Sequence, residues 1–330
     1  MMFSIKIIRI IHLERKQRQG LLNTKLFSIL AKIFGMFKGV SIHQFQKFFS
    51  SEDDCKRYLF DMKWKDGYRC RQCSATRSVK GRTAFHLRCG KCGYDESVTA
   101  HTRFHKIKIP LLKAFGMAFR IAVRKKGMST IELANEFGVN QKSSWLFKRK
   151  AQESMKSSGN HLLDDKVEVD ELMIGGLDTG ERGRSKGDKK LIVIAVQKVK
   201  GNKIGRAYAE VIENASAESF KPFFEKYIDK NNARVLTDGW RGYWPLEKEF
   251  EIKQKFSAGG KNFPGLHLVI MNLKGWLRGI HHHCSEKFMN GYLNEYFFRF
   301  NRRSFLNTIW HKLIERFMTN EPYWYKANAA

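Results

Sequence analysis

Lys166–Gly176 reads KVEVDELMIGG, and further along the chain Ala233–Trp240 reads ARVLTDGW. Both are short apolar runs, rich in β-branched residues, that carry an Asp at or near a Gly turn. LIVIAVQKV (191–199) and RAYAEVI (206–212) lie between them and also read as strands. A helical pattern is expected over about 217–229, and two more near 266–278 and 286–300. Strand, strand, strand, helix, strand and helix in that order predict an α/β domain with a mixed sheet. Buried strands commonly end at a ligand crevice, where a carboxylate can hold a cation. Asp170 and Asp238 on neighbouring strands would share Mg²⁺, as phosphoryl transfer requires. Each also fits a plainer reading, because Asp before a glycine turn often serves only to cap it.

Upstream, 156–165 holds Ser157, Ser158, Gly159 and Asn160 and reads as a linker. Before it, STIELANEFGVNQKSSWLFKRKAQESM (129–155) reads as helix, tight turn, helix. Ser129 and Glu132 have the spacing of a capping box, Gly138 closes the first helix and Asn140 caps the second. As a helix-turn-helix this would put Gln141, Lys142, Ser143 and Ser144 at the exposed start of the recognition helix, with Lys148, Arg149 and Lys150 on phosphates. A pair of packed core helices with a solvated basic face has the same appearance. Charge favours DNA: residues 101–150 carry twelve Lys/Arg against Glu132 and Glu136. The whole chain of 330 residues has a formal charge of +29, which suits a polyanion.

Cys70-x2-Cys73 and Cys89-x2-Cys92 are separated by fifteen residues, the spacing of a structural zinc site. Two tight turns each present two thiolates, and four thiolates close a tetrahedron with no open position for catalysis. Cys55 and Cys284 stand apart, so the cysteines predict a reducing compartment rather than disulfides. FQKFFSSEDDCKRYLFDMKW (45–64) predicts a short helix capped by Ser50 or Ser51. Residues 1–35 are basic and apolar without a cleavage pattern, and the organised protein is expected to begin near Met36. No uncharged run is long enough for a membrane span.

Together the two cysteine pairs, the helical pair, VEVDELMIGG, VLTDGWRGYWPL (235–246), LHLVIMNLKGWLRGIHHHCSEKF (266–288) and YLNEYFFRFNRR (292–303) resemble bacterial insertion-sequence transposases of the ISXO type over roughly residues 40–305. The resemblance implies a ribonuclease-H-like catalytic domain of the DDE class, with Asp170 and Asp238 as its first two metal-binding acids. It departs at the third, usually a Glu seven residues before a Lys or Arg. Here that spacing falls on His267 and Lys274, a DDH-type triad, with Lys274 positioning DNA. Glu295 is the rival third acid and Asn272 a weaker one. Imidazole favours softer ions than Mg²⁺, which makes Mn²⁺ worth testing. Consecutive His281, His282 and His283 splay apart and cannot chelate as a set.

The expected organisation is a basic apolar extension (1–40), a short helix and zinc ribbon (41–105), a helix-turn-helix region (106–158), a catalytic domain (159–320) and a tail (321–330). The expected activity is a cytoplasmic transposase, at least dimeric on DNA. It would bind the element's terminal inverted repeats in double-stranded DNA and cleave and transfer strands with Mg²⁺ or Mn²⁺. A decayed, catalytically inactive repressor and a nuclease of RNA metabolism are the alternatives. Metal-dependent nicking of inverted-repeat DNA against binding alone separates the first two, and preference for structured RNA marks the third.

Overall fold

A computed structural model describes residues 36–175, 189–281 and 284–324. The extension at 1–35, Gly176, His282, His283 and the end of the tail lie outside the described residues.

Helices α1 (Ile42–Phe48) and α2 (Glu52–Lys63) open the fold. Ser51, not Ser50, caps α2, in a reciprocal box with Asp54, and three acids in the first turn favour the helix dipole. A small antiparallel sheet follows, β1 (Ser78–Lys80), β2 (His86–Cys89) and β3 (Asp95–Ser97). Then come α3 (Leu111–Val123), α4 (Thr130–Phe137) and α5 (Gln141–Ser154). The capping box of Ser129 and Glu132, the left-handed Gly138 (φ 56°) and the Asn140 cap all form as the sequence predicts.

The second unit is built on β4 (Leu163–Ile174), β5 (Lys190–Val199), β6 (Lys203–Ile212), β7 (Ile228–Thr237) and β8 (Glu251–Gln254). Their order across the sheet is β6-β5-β4-β7-β8. The first three strands are mutually antiparallel, and β7 and β8 run parallel to β4. This is the mixed sheet of a ribonuclease-H-like fold. Strand alternation divides the side chains between two cores. Val167 and Val169 face Phe220, Phe223 and Phe224 of α6 (Ala217–Tyr227). Leu172, Ile192 and Ile194 face α7 (Pro264–Ile280) and α8 (Glu286–Phe300).

Neither β8 nor a last helix was read from the sequence. Residues Leu306–Thr319 form α9, whose Ile309, Trp310, Leu313, Ile314 and Phe317 are all fully buried. They pack away from the large sheet, into the helical unit at the other end of the chain. Trp310 lies 5.3 Å from Phe37, 5.5 Å from Phe115 and 5.0 Å from Phe49, ring centre to ring centre. The expected catalytic block of 159–320 is therefore continuous in sequence but divided in space after α8. Among the described residues no helix is long and apolar enough to cross a membrane.

Candidate catalytic site and zinc ribbon

The parallel register of β4 and β7 sets Glu168 beside Leu236. Two residues on, alternation returns to the same face and brings Asp170, which lies inside β4 because that strand runs on to Ile174, beside Asp238, just past the end of β7. Glu171 joins them: ligand atoms of Asp170, Glu171 and Asp238 all lie within 4.8 Å of one another. Each carboxylate is locally held. Asp170 Oδ1 accepts the Glu171 N–H (2.8 Å), Asp238 Oδ1 accepts the Trp240 N–H (3.1 Å), and the Tyr243 hydroxyl donates to Glu171 Oε2 (2.7 Å). The turn-capping reading of Asp238 is thus satisfied by one oxygen, while its carboxylate still belongs to the cluster. Three hard oxygen donors at one point suit Mg²⁺ or Mn²⁺.

His267 sits at the start of α7, with Nε2 3.9 Å from Asp170 Oδ2 and about 39% of the side chain exposed. Its ring rests against Gly260, where a Cβ would lie 2.8 Å away and where φ is +89°. Only glycine meets both demands comfortably. Lys274 follows on the same helix, half-buried. Seven residues are nearly two turns, so it shares the helical face of His267.

The rivals are placed elsewhere. Glu295 is fully buried between α5 and α8, where it accepts a hydrogen bond from Gln152 (2.7 Å) and lies 3.5 Å from Lys148 and 3.8 Å from Arg299. A carboxylate so enclosed is a structural counter-ion, and the reading of Glu295 as third acid is corrected. Asn272 is exposed and is turned by about 140° from His267 around the helix.

The same buried joint corrects part of the recognition-helix reading. Lys148 is fully buried and donates to Met128 O (2.5 Å). The Arg149 guanidinium, 4% exposed as a residue, stacks between Phe288 (4.7 Å) and Tyr292 (4.5 Å). Ser144 is fully buried and donates to Thr130 O. None of the three is open to solvent, because Ser144 is tied to the start of α4 while α8 covers Lys148 and Arg149. Lys150 is half-buried and reaches towards Arg103 O (3.5 Å). Gln141 and Lys142 remain exposed and Ser143 partly so. Burial pushes the His281 imidazole down to about 3, and nearby Lys148 adds to the effect; the ring packs 4.1 Å from Tyr292.

At the other end, Cys70, Cys73, Cys89 and Cys92 converge. Cys70 and Cys92 sulfurs are 3.6 Å apart and Cys73 and Cys89 sulfurs 3.5 Å. A tetrahedron with Zn–S of about 2.3 Å has edges of about 3.8 Å, so the four thiols fit one zinc ion. Amides of Lys91 and Cys92 donate to the Cys89 sulfur, as the second turn requires. Lys63 of α2 ties the module down through Glu96 (2.7 Å), Ser97 O and Ala100 O.

Sequence reading missed Glu171 as a member of the carboxylate cluster. Alternation along β4 assigns it to the face opposite Asp170, and only the position of Tyr243 shows where its carboxylate is held.

Two family models match. Residues 162–301 match the ISXO2-like transposase domain and residues 50–95 the transposase zinc-ribbon domain. No curated protein matches. Solved structures that resemble the chain include a pre-cleavage Mos1 transpososome, at 13% identity and a TM-score of 0.28 over 61% of this chain and 77% of that one. Another is the Mos1 transposase paired-end complex with the left transposon end, at 14% identity and 0.27 over 60% and 76%. Similarity at that level decides nothing about this chain. The chain thus carries an ISXO2-like transposase domain at 162–301 and a transposase zinc-ribbon domain at 50–95, in keeping with the ISXO-type resemblance of its motifs.

Proposed function

We propose that this transposase binds the terminal inverted repeats of an insertion sequence and performs divalent-metal-dependent DNA cleavage and strand transfer. The observation that carries the reading is the convergence of Asp170, Glu171 and Asp238 at one end of the sheet, with His267 beside them. Asp170 and Asp238 would hold the metal, Mg²⁺ or Mn²⁺, with His267 completing the set. When bound, such ions polarise the attacking and leaving oxygens of a phosphodiester. Tyr243 keeps Glu171 oriented by its hydrogen bond, and Gly260 leaves His267 room against Asp170. Lys274 would meet a phosphate further along α7.

Recognition of the ends would come from Gln141, Lys142 and Ser143 at the open start of α5, with the zinc ribbon as a second contact. The protein would act in the cytoplasm, on the nucleoid, as a dimer or larger assembly, because two ends must be held together.

Incubation of the protein with inverted-repeat DNA and Mg²⁺ or Mn²⁺ tests this. Nicking is expected, and Asp170→Asn and Asp238→Asn should abolish it while leaving DNA binding within about twofold. DNA that is shifted but uncut under both ions would instead support a catalytically inactive repressor, for which the imidazole in place of an acid speaks. Structured RNA cut as well as DNA would point to RNA metabolism.

A further inference from the structure

Between β8 and α7 runs KFSAGGKNF (255–263). The register of β8 on β7 pairs Gln254 with Thr237, and the Lys255 N–H donates to Thr237 O (2.9 Å). The loop therefore leaves the sheet at the level of Asp238. Its far end returns beside the same cluster, since Gly260 abuts the His267 ring. Between these anchors its own hydrogen bonds shape it. The Gly260 N–H donates to Ser257 O (3.0 Å), the Asn262 N–H to Ser257 O (3.3 Å) and the Asn262 side-chain amide to Phe256 O (2.7 Å).

This structured loop holds Phe256 out in solvent. At 81% exposure it is the most exposed large apolar side chain among the described residues. Burying a phenyl ring is favourable, and the fold leaves nearly all of that gain unrealised. A single exposed apolar residue ordinarily needs no explanation. This one has exposed Lys253, Lys255 and Lys261 around it, and the sequence from Ile252 to Phe263 contains no acid. Cations flanking a projecting ring match the phosphates and base stack of DNA.

We propose that Phe256 is a wedge that enters the base stack of duplex DNA next to the phosphodiester held at the carboxylate cluster. There it unstacks the flanking base while Lys253, Lys255 and Lys261 hold neighbouring phosphates. The inference rests on the reading of that cluster as the DNA-cutting site.

The test uses the full chain and an element-end duplex with 2-aminopurine next to the cut. Without divalent metal, wild-type binding should raise the fluorescence severalfold as the base leaves the stack. Phe256→Ala should bind within about twofold, show no rise, and nick intact duplex about 5- to 150-fold more slowly, the range expected for one lost stacking contact. An unpaired base at the same step should restore its nicking, and Phe256→Trp should keep both signals. Wild-type fluorescence and nicking in Phe256→Ala overturn the proposal, as does slow nicking that a pre-opened step fails to rescue. A wild-type protein that unstacks DNA but never nicks it with Mg²⁺ or Mn²⁺ keeps the wedge and overturns the catalytic reading instead.

Discussion

At the scale of single residues, Gly260 shows how closely the site is built. Its left-handed backbone and the 2.8 Å separation between a Cβ and the His267 ring mean that Gly260→Ala meets strain and collision together. A positive φ alone costs a side chain about 1–2 kcal/mol. The variant is expected to push His267 off Asp170 and to lower the nicking rate at least tenfold, with a melting temperature only a few degrees lower. Wild-type nicking rates in Gly260→Ala would show that the position of His267 is immaterial. That Asp170 and Asp238 belong to neighbouring strands was legible in the sequence because strand patterns are local, whereas His267 entered only through the spacing that the family resemblance implies. Gly260 was not legible, since its neighbour across space is set by a loop that doubles back.

Among elements, the joint of α5 with α8 decides what the helix-turn-helix can present. Lys148, Glu295, Gln152 and Arg299 form a buried charged network, and Arg149 lies within an aromatic cage beside it. Burial alone would raise the Glu295 carboxyl, but Lys148 and Arg299 hold it below the usual range. Glu295→Ala strands Lys148 and should cost about 3–5 kcal/mol in denaturant unfolding. The double variant Lys148→Met/Glu295→Leu removes both charges and should recover most of that loss; a double variant as unstable as the single one would contradict a charge-pair explanation.

His281 makes the same joint sensitive to acid. Its folded value near 3 lies below the ordinary 6.5, so the folded chain keeps it neutral while the unfolded chain protonates. Stability is therefore lost progressively as pH falls from about 6.5 towards 3, and it is fully present above that window. His281→Phe should flatten this part of a melting-temperature profile against pH; an unchanged slope would place the acid sensitivity elsewhere. The turn of the helical pair was readable from Ser129, Glu132, Gly138 and Asn140, whose capping chemistry is local. The fate of Lys148 and Arg149 was not, because the helix that covers them arrives some 140 residues later in the chain.

For the molecule as a whole, the sheet and its two faces followed from alternation, whereas the path of the chain between units did not. Neither the helix at Leu306–Thr319 nor its partner was read from the sequence, and the partner proves to be α3 and the aromatic core around Phe115. Trp310 also donates from its indole N–H to Phe115 O (3.3 Å). Removal of residues 306–330 should leave a cavity where Trp310 and Phe317 stood and unfold the N-terminal helical unit, though the carboxylate cluster is untouched. Loss of tryptophan near-ultraviolet dichroism together with loss of inverted-repeat binding is expected; a truncated protein that still binds the ends specifically would refute it.

That placement of α9 also orders events in time. Synthesis proceeds from the amino end, so the unit that carries the zinc ribbon and the helical pair is made first but cannot close its core until α9 emerges from the ribosome. The sheet and its carboxylate cluster are complete before that unit is. A translation product interrupted before Leu306 is thus left with an open hydrophobic core in its helical unit. The helical unit closes only in chains that already carry Asp170, Glu171 and Asp238.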